Sequence, residues 1–418
     1  MTDLFALADK IIGDHDMDFR AFSRINHELS ELDDGLSFVE AFSNSVNFVT
    51  DDGLVIFDTS SVAGGSLVVK ALSQWRPQDR FNALVYTHGH VDHVGGSGAF
   101  VSHAAGAGQP IPEVIGHQNI EPRFDRYDLT NGYNQLINQR QFGIDPSGMF
   151  LPESVARVTT SYVSSLTINR GGLDIELHHA KGETDDHTWA WIPKYKAVCA
   201  GDFFIWNFPN AGNPQKVQRF PLEWAAAMRA MAAKKPEMLL PAHGLPVKGA
   251  GLVNQILTEI AEALEGLVHD TLEMMNSGAN RNDVIHTVKV KEGCLDKPYL
   301  QPLYDEPEFT VNNIWRQYGG WYDGNPANLK PAREAELATE FAAMAGGAEK
   351  LAARAETLAA DDKLRLACHL IETATLAEPD NKKLHAIRSA IYQQRVQMET
   401  SLMAKGIFRF AASESTKR

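Results

Sequence analysis

One short run limits what this chain can fold into. Thr87-His88-Gly89-His90-Val91-Asp92-His93 sets three histidines and an aspartate close together, directly behind the apolar run Asn82-Ala83-Leu84-Val85-Tyr86. A lone histidine in a loop is an ordinary surface group, but packing does not explain this whole cluster. A buried strand whose far end carries a site does explain it. On an extended segment His88 and His90 point to the same side, because strand side chains alternate. A turn after them lets Asp92 and His93 face a neighbouring point. Neutral imidazoles and a carboxylate suit zinc at about 2.0–2.2 Å. Gly89 and Gly95-Gly96 leave room for a sharp turn and for close helix packing.

The surrounding chain reads as alternating strands and helices, which argues for a layered α/β domain. Ser45–Thr50 and Leu54–Asp58 flank Asp51-Asp52-Gly53 as a hairpin. Ser66 to Trp75 is a helix. Residues from about 103 to 160 are rich in Gly, Pro and Asn and weakly periodic, and read as a surface insertion over the site. Strands resume from Ser164 to His178 around Gly171-Gly172, then at Trp189–Ile192 and Ala197–Ala200. From Gly251 onward the pattern is helical, with Ile256, Ile260, Leu264, Leu267, Val268 and Leu272 on one stripe. Two domains are therefore expected, 1–250 and 251–418. The second holds a Pro- and aromatic-rich connector at about 298–331, followed by Ala-rich helices broken at Gly346-Gly347 and Pro379-Asp380-Asn381.

Composition narrows the function. The chain has 418 residues, enough for two cores, and a formal net charge of −14. Such a surface repels nucleic acid and anionic membranes, so the expected partner is a small molecule. Cys199, Cys294 and Cys368 are too few and too scattered for a disulfide framework. The N-terminus lacks a basic region with an apolar stretch behind it, and no run is long enough to span a membrane, so a cytoplasmic location is expected.

Thr87-His88-Gly89-His90-Val91-Asp92-His93-Val94-Gly95-Gly96 resembles the signature of the metallo-β-lactamase superfamily. The resemblance implies an αββα sandwich and two metal ions, zinc by default and manganese or iron as options. His88 and His90 would serve one ion, and Asp92 and His93 the second. Asp202, in Ala200-Gly201-Asp202, is the expected bridging acid, and His243, in Pro241-Ala242-His243-Gly244, the expected last histidine. The remaining ligand falls in Gly182-Glu183-Thr184-Asp185-Asp186-His187, where the common family pattern is Gly-His-Thr. Register favours Glu183, with His187 as the rival ligand, or else as a residue that supports the ligands from behind or handles a proton for the leaving group. A Glu in that slot resembles the zinc-dependent alkylsulfatases. A second stretch, Val311-Asn312-Asn313-Ile314-Trp315-Arg316-Gln317-Tyr318-Gly319-Gly320-Trp321-Tyr322-Asp323-Gly324-Asn325-Pro326-Ala327, is similar to the connector before their dimerisation domain. The resemblance thus also implies a homodimer formed through the C-terminal helices.

The expected chemistry is hydrolysis by a hydroxide shared between two metal ions, with Asp92 orienting it. A sulfuric ester with an alkyl or aryl group is the first expectation. A carboxylic ester, lactone or thioester is the second, a lyase reaction a third, and a non-catalytic helical scaffold a fourth. The chain departs from the alkylsulfatase pattern in three places. The bridging acid is Asp rather than Glu; Phe203-Phe204-Ile205-Trp206-Asn207-Phe208 replaces a His- and Asn-bearing stretch ending in Thr-Leu-Arg-Gly; and no lipid-carrier-like region follows the helices. Trp206 and Tyr133 are the candidate apolar substrate contacts, and Arg219 the candidate anion contact. Tyr127, Arg140 and Phe142 are candidates for closing the site.

Overall fold

The computed structural model describes residues 2–144 and 148–417. Two sheets organise the first part of the chain. The first runs in the order β1 (Leu29–Asp33), β2 (Leu36–Val39), β3 (Ser45–Thr50), β4 (Gly53–Phe57), β5 (Phe81–Val85), β6 (Glu113–His117) and β7 (Thr160–Tyr162). β1 to β4 form an antiparallel meander; β4, β5, β6 and β7 are parallel. The second sheet contains β8 (Ser165–Arg170), β9 (Leu173–His179), β10 (Thr188–Ile192), β11 (Ala197–Gly201), β12 (Met238–Pro241) and β13 (Val247–Lys248), adjacent in that order. It is antiparallel except between β11 and β12.

Side-chain alternation explains the layering. In β4, Val55 and Phe57 join the core shared with the second sheet, whereas Leu54 and Ile56 join a separate core. That separate core packs Val68, Val69 and Leu72 of the helix Val62–Trp75, Phe100 of Ser97–Gly106, and Ile120, Phe124 and Tyr127 of Ile120–Leu129. Each such fully buried side chain contributes about 1.5–3 kcal/mol. The second sheet is covered by the helices Pro221–Ala233 and Ala250–Asn276, through Trp224, Met228 and Met231 and through Ile256, Ile260, Leu264 and Leu267. The result is the expected αββα sandwich.

Three expectations are corrected. Residues 103–160 are not an irregular insertion: Glu113–His117 is an interior strand, and the helices Ile120–Leu129 and Asn131–Phe142 follow it. The strand escaped notice because only Val114 and Ile115 in it are strongly apolar. The first compact unit does not close at 250. It takes Met1–Asn134, Ser147–Ala279 and Asp283–Gly319, because the stripe on Ala250–Asn276 is spent on the second sheet. The connector at 298–331 is helical from Pro307 to Gly319.

The second unit takes Gln135–Pro146, Asn280–Asn282 and Gly320–Arg418. Its aromatic segment turns at Gly324 (φ +94°), where Asp323 accepts from the Asn325 N–H and Asn325 caps the short helix Pro326–Leu329. The helices Glu334–Ala345, Ala348–Ala360, Leu364–Ala377, Lys382–Met398 and Leu402–Thr416 follow, all but the last contributing to a core of alanines with Leu358, Leu364, Ile371, Leu384 and Ile391. Arg140 and Phe142 belong to this unit, where the Arg140 guanidinium lies 5.7 Å from the Phe410 ring. No helix among the described residues is long and apolar enough to cross a membrane.

Candidate metal centre

Strand ends supply the site. His88 and His90 leave the end of β5, and Val91–Val94 forms the single helical turn that carries Asp92 and His93. Asp202 follows β11, and His243 follows β12, its parallel neighbour. Glu183 sits in the loop before β10. The structure brings all seven together in two groups. His88, His90, Glu183 and Asp202 form one, and Asp92, His93 and His243 the other, with the potential ligand atoms in each group within 4.8 Å of one another.

Asp202 joins the groups. Its Oδ1 lies 3.4 Å from His93 Nε2 and 3.4 Å from His243 Nε2, and its Oδ2 lies 3.9 Å from His88 Nε2. Asp92 Oδ2 lies 3.5 Å from His93 Nε2 and 3.4 Å from His243 Nε2. His88 Nε2 and His90 Nδ1 are 2.8 Å apart, and His90 Nδ1 is 3.6 Å from Glu183 Oε1. His88 and His93 are wholly buried, while the side chains of His90, Asp92 and His243 are 21%, 29% and 24% exposed. The site therefore opens on the side of the last three, where the exposed Phe42 ring meets His243 edge-on at 5.7 Å.

A metal fits this donor set. His93 Nε2, Glu183 Oε2 and Asp202 Oδ1 are buried and lack a hydrogen-bond partner. Leaving such groups unmade is costly, and an ion satisfies them at once. The charges agree. Burial and the neighbouring cations hold His88 and His90 well below the usual imidazole range, in the neutral form that binds metal. Against the cost of burial, Asp202 and Asp92 raise His93 and His243. A divalent cation is the natural competitor for those protons. Burial pushes Glu183 well up, Arg219 opposes this, and the Asp202 carboxylate adds to it. Facing carboxylates of this kind are relieved by a cation between them.

His187 is placed behind the site rather than in it. Its ring stacks on Phe203 at 4.1 Å, and its Nε2 accepts from the Asp202 N–H at 3.2 Å. Gly201, at φ +54°, makes room for this, since a Cβ there would lie 2.8 Å from that nitrogen. Burial lowers His187 to about 3, so it stays neutral and supports Asp202. That corrects its expected role as proton donor. Trp206 is also corrected: it is wholly buried, stacks on Phe22 and donates to the Leu245 carbonyl at 2.7 Å, which makes it core. Arg219 is buried against Glu183 at 3.1 Å and is not held out for a substrate anion. Tyr133 stands 59% exposed on the helix Asn131–Phe142, and Tyr127 is buried in the core around Phe124, against Arg123.

Sequence reasoning missed four supporting groups. Asp58 accepts from the Thr87 N–H and hydroxyl, both at 2.8 Å, and lies 2.8 Å from His93 Nδ1. Asp186 accepts from the Gly89 N–H at 3.0 Å and from Arg123 Nε at 2.7 Å, which fixes the backbone between the two leading histidines. Asn210 donates to Glu183 Oε1. Lys216, half-buried on the loop before Arg219, feels the charges of Asp92 and Glu183 and is lowered by burial to about 8.

Comparison with known proteins agrees with this geometry. A model of the metallo-beta-lactamase superfamily matches residues 39–243, and one of alkyl sulfatase dimerisation matches residues 280–418. A linear primary-alkylsulfatase from Pseudomonas is 24% identical over 362 residues, covering 82% of this chain and 68% of that protein. An (R)-specific secondary-alkylsulfatase from Pseudomonas is 24% identical over 376 residues, covering 84% and 57%. The solved structure of a stereoselective inverting sec-alkylsulfatase from Pseudomonas superposes with a TM-score of 0.83 at 22% identity, covering 93% of this chain and 65% of that one, and so shares the fold. The chain spans between 57% and 68% of the length of these three proteins. The chain thus joins a domain that matches the metallo-β-lactamase superfamily to one that matches the alkyl sulfatase dimerisation family.

Proposed function

We propose that this protein is a two-metal hydrolase of sulfuric esters that carry an alkyl or aryl group, and that its metals are zinc. The observation that carries the reading is the pair of donor groups joined by Asp202, with unpartnered buried atoms turned inward. His88, His90 and Glu183 would hold one ion, Asp92, His93 and His243 the other, and Asp202 both. The bound metals supply Lewis acidity and an activated water at neutral pH. Asp92, on the open side, would accept a hydrogen bond from a water held there and orient it. Lys216 meets the anionic group of the ester, and Phe42 gives the alkyl or aryl part an apolar wall. One of the relatives is a linear primary-alkylsulfatase, which agrees with an anionic head on an apolar chain. The C-terminal helices would form a homodimer, as the dimerisation-family match suggests.

Metal analysis of purified protein, with release assays on an aryl sulfate and on a carboxylic ester or lactone, tests this. About two zinc per chain with chelator-sensitive sulfate release is the expected result. Asp92→Ala should abolish release while the circular dichroism spectrum stays unchanged. Cleavage of the carboxylic ester alone would discard the sulfate assignment, and protein with neither metal nor turnover would leave a scaffold as the better reading.

A further inference from the structure

Glu183 is gripped by two buried neighbours. Arg219 Nη1 lies 3.1 Å from Oε1 and also donates to the Glu183 carbonyl, while Asn210 Nδ2 donates to the same Oε1. Arg219 is itself anchored: its N–H donates to Asn313 Oδ1 at 3.3 Å, and Asn313 Nδ2 donates to its carbonyl at 2.9 Å. The same Oε1 lies 3.6 Å from His90 Nδ1, so the grip sits at the edge of the first donor group, and Oε2 is buried. Both partners are almost wholly inside the protein, at 3% and 4% side-chain exposure, so the pair acts as a unit: removing one member strands the other's charge. Position 183 is also where the commoner superfamily pattern has a histidine. A neutral imidazole there needs no counter-charge; a carboxylate does.

We infer that Arg219 is a positioning residue for the first metal, holding the Glu183 carboxylate in place beside His90, and cancelling the ligand's charge so that the pair counts as one neutral ligand. The inference rests on Glu183 being a ligand. It explains why a buried arginine, which would ordinarily repel a metal, stands at this edge of the site. Neighbouring groups that orient a ligand typically govern metal affinity by about 10–100-fold.

The test is metal binding, read by stoichiometry, by chelator competition and by the visible spectrum of the cobalt-substituted protein. Arg219→Met should weaken one of the two ions by about 10–100-fold and alter that ion's cobalt bands, leaving the other ion in place. Glu183→His alone should also weaken it, because Arg219 is then an uncompensated buried cation. The double variant Glu183→His/Arg219→Met should bind two ions again, within a few-fold of wild type, since it restores a neutral ligand without a stranded charge. A merely structural arginine would not be rescued in this way. Folded Arg219→Met with wild-type affinity and spectrum for both ions, or a folded double variant no better than either single one, overturns the inference. Should Arg219→Met not fold, the double variant decides alone by its metal content. Wild-type protein that binds no metal would instead overturn the hydrolase reading itself.

Discussion

At the scale of single residues, the site depends on side chains that hold the ligands. Asp58 is one of them. It sits at φ +58°, an unusual backbone for a residue other than glycine, and both of its oxygens are engaged by Thr87 while Oδ2 also lies against His93 Nδ1. A carboxylate behind a metal-binding imidazole sets its tautomer and direction. Asp58→Asn presents an N–H where His93 donates, so the ring loses its acceptor. The expected outcome is a fall in metal affinity of about 10–100-fold with little change in the spectrum of the folded protein, measured by chelator competition. Wild-type affinity would exclude the role. Lys216 is argued from the substrate side. Its ammonium feels the charges of Arg219, Asp92 and Glu183, and its Nζ stands 5.8 Å from the Phe150 ring. A hydrogen bond to a charged group is worth about 1.5–3 kcal/mol. Lys216→Ala should therefore raise KM for an anionic ester by about 10–100-fold and leave a neutral ester unaffected; equal effects on both would remove Lys216 from substrate binding. Neither Asp58 nor Lys216 was legible in the sequence. Each is a common residue type with no spacing signal, whereas His88, His90, Asp92 and His93 lie so close together that they declare themselves.

At the scale of elements, the turn that carries His93 is stitched to the loop after β4. The Thr59 N–H donates to the His93 carbonyl at 2.7 Å, and the Gly96 N–H to the Ser60 carbonyl at 2.9 Å. This contact needs a bare backbone: a Cβ at Gly96 would fall 2.0 Å from the Thr59 carbonyl oxygen and 2.7 Å from Gly65 Cα. Both obstacles are backbone, so neither can rotate away. Gly96→Ala should cost at least the about 1–3 kcal/mol of ordinary overpacking and should weaken metal binding too, because the displaced turn carries two ligand candidates. Urea denaturation of the metal-free protein separates the two effects, and a variant as stable as wild type would refute the close contact. The need for small residues here was legible in Gly95-Gly96, as were the hairpin of β3 and β4 and the strands at 189–192 and 197–200. The strand Glu113–His117 was not, because its burial comes from its neighbours β5 and β7 rather than from its own composition. The aromatic run at 203–208 misled for the opposite reason. Its rings look like a pocket lining in sequence, yet Phe203, Phe204, Trp206 and Phe208 are all buried in the core shared by the two sheets.

At the scale of the whole molecule, the question is why a metal-binding sandwich is followed by five largely alanine-rich helices between Glu334 and Thr416. Alanine builds regular helices that pack closely, but it buries little apolar area, so a bundle of this kind gains stability slowly from its own core. Its core is accordingly modest, and large apolar side chains are left outside it. On the helix Glu334–Ala345, Leu337, Phe341 and Met344 are 47%, 48% and 84% exposed, and the spacing of four and three sets them on one face. A contiguous exposed stripe of this type marks a protein contact, and a face repeated on identical chains favours a twofold dimer. The net charge of −14 opposes chance association of two copies, so a dimer needs such an apolar contact to outweigh the repulsion. The double variant Phe341→Glu/Met344→Glu adds two further negative charges to that face and should shift the proposed dimer to monomer in sedimentation velocity at micromolar concentration. Metal content should stay at the wild-type value, because every ligand candidate lies in the other compact unit. A variant that still sediments as a dimer would move the interface off this helix, and a wild-type monomer would separate the dimerisation domain of this chain from the behaviour its family name describes.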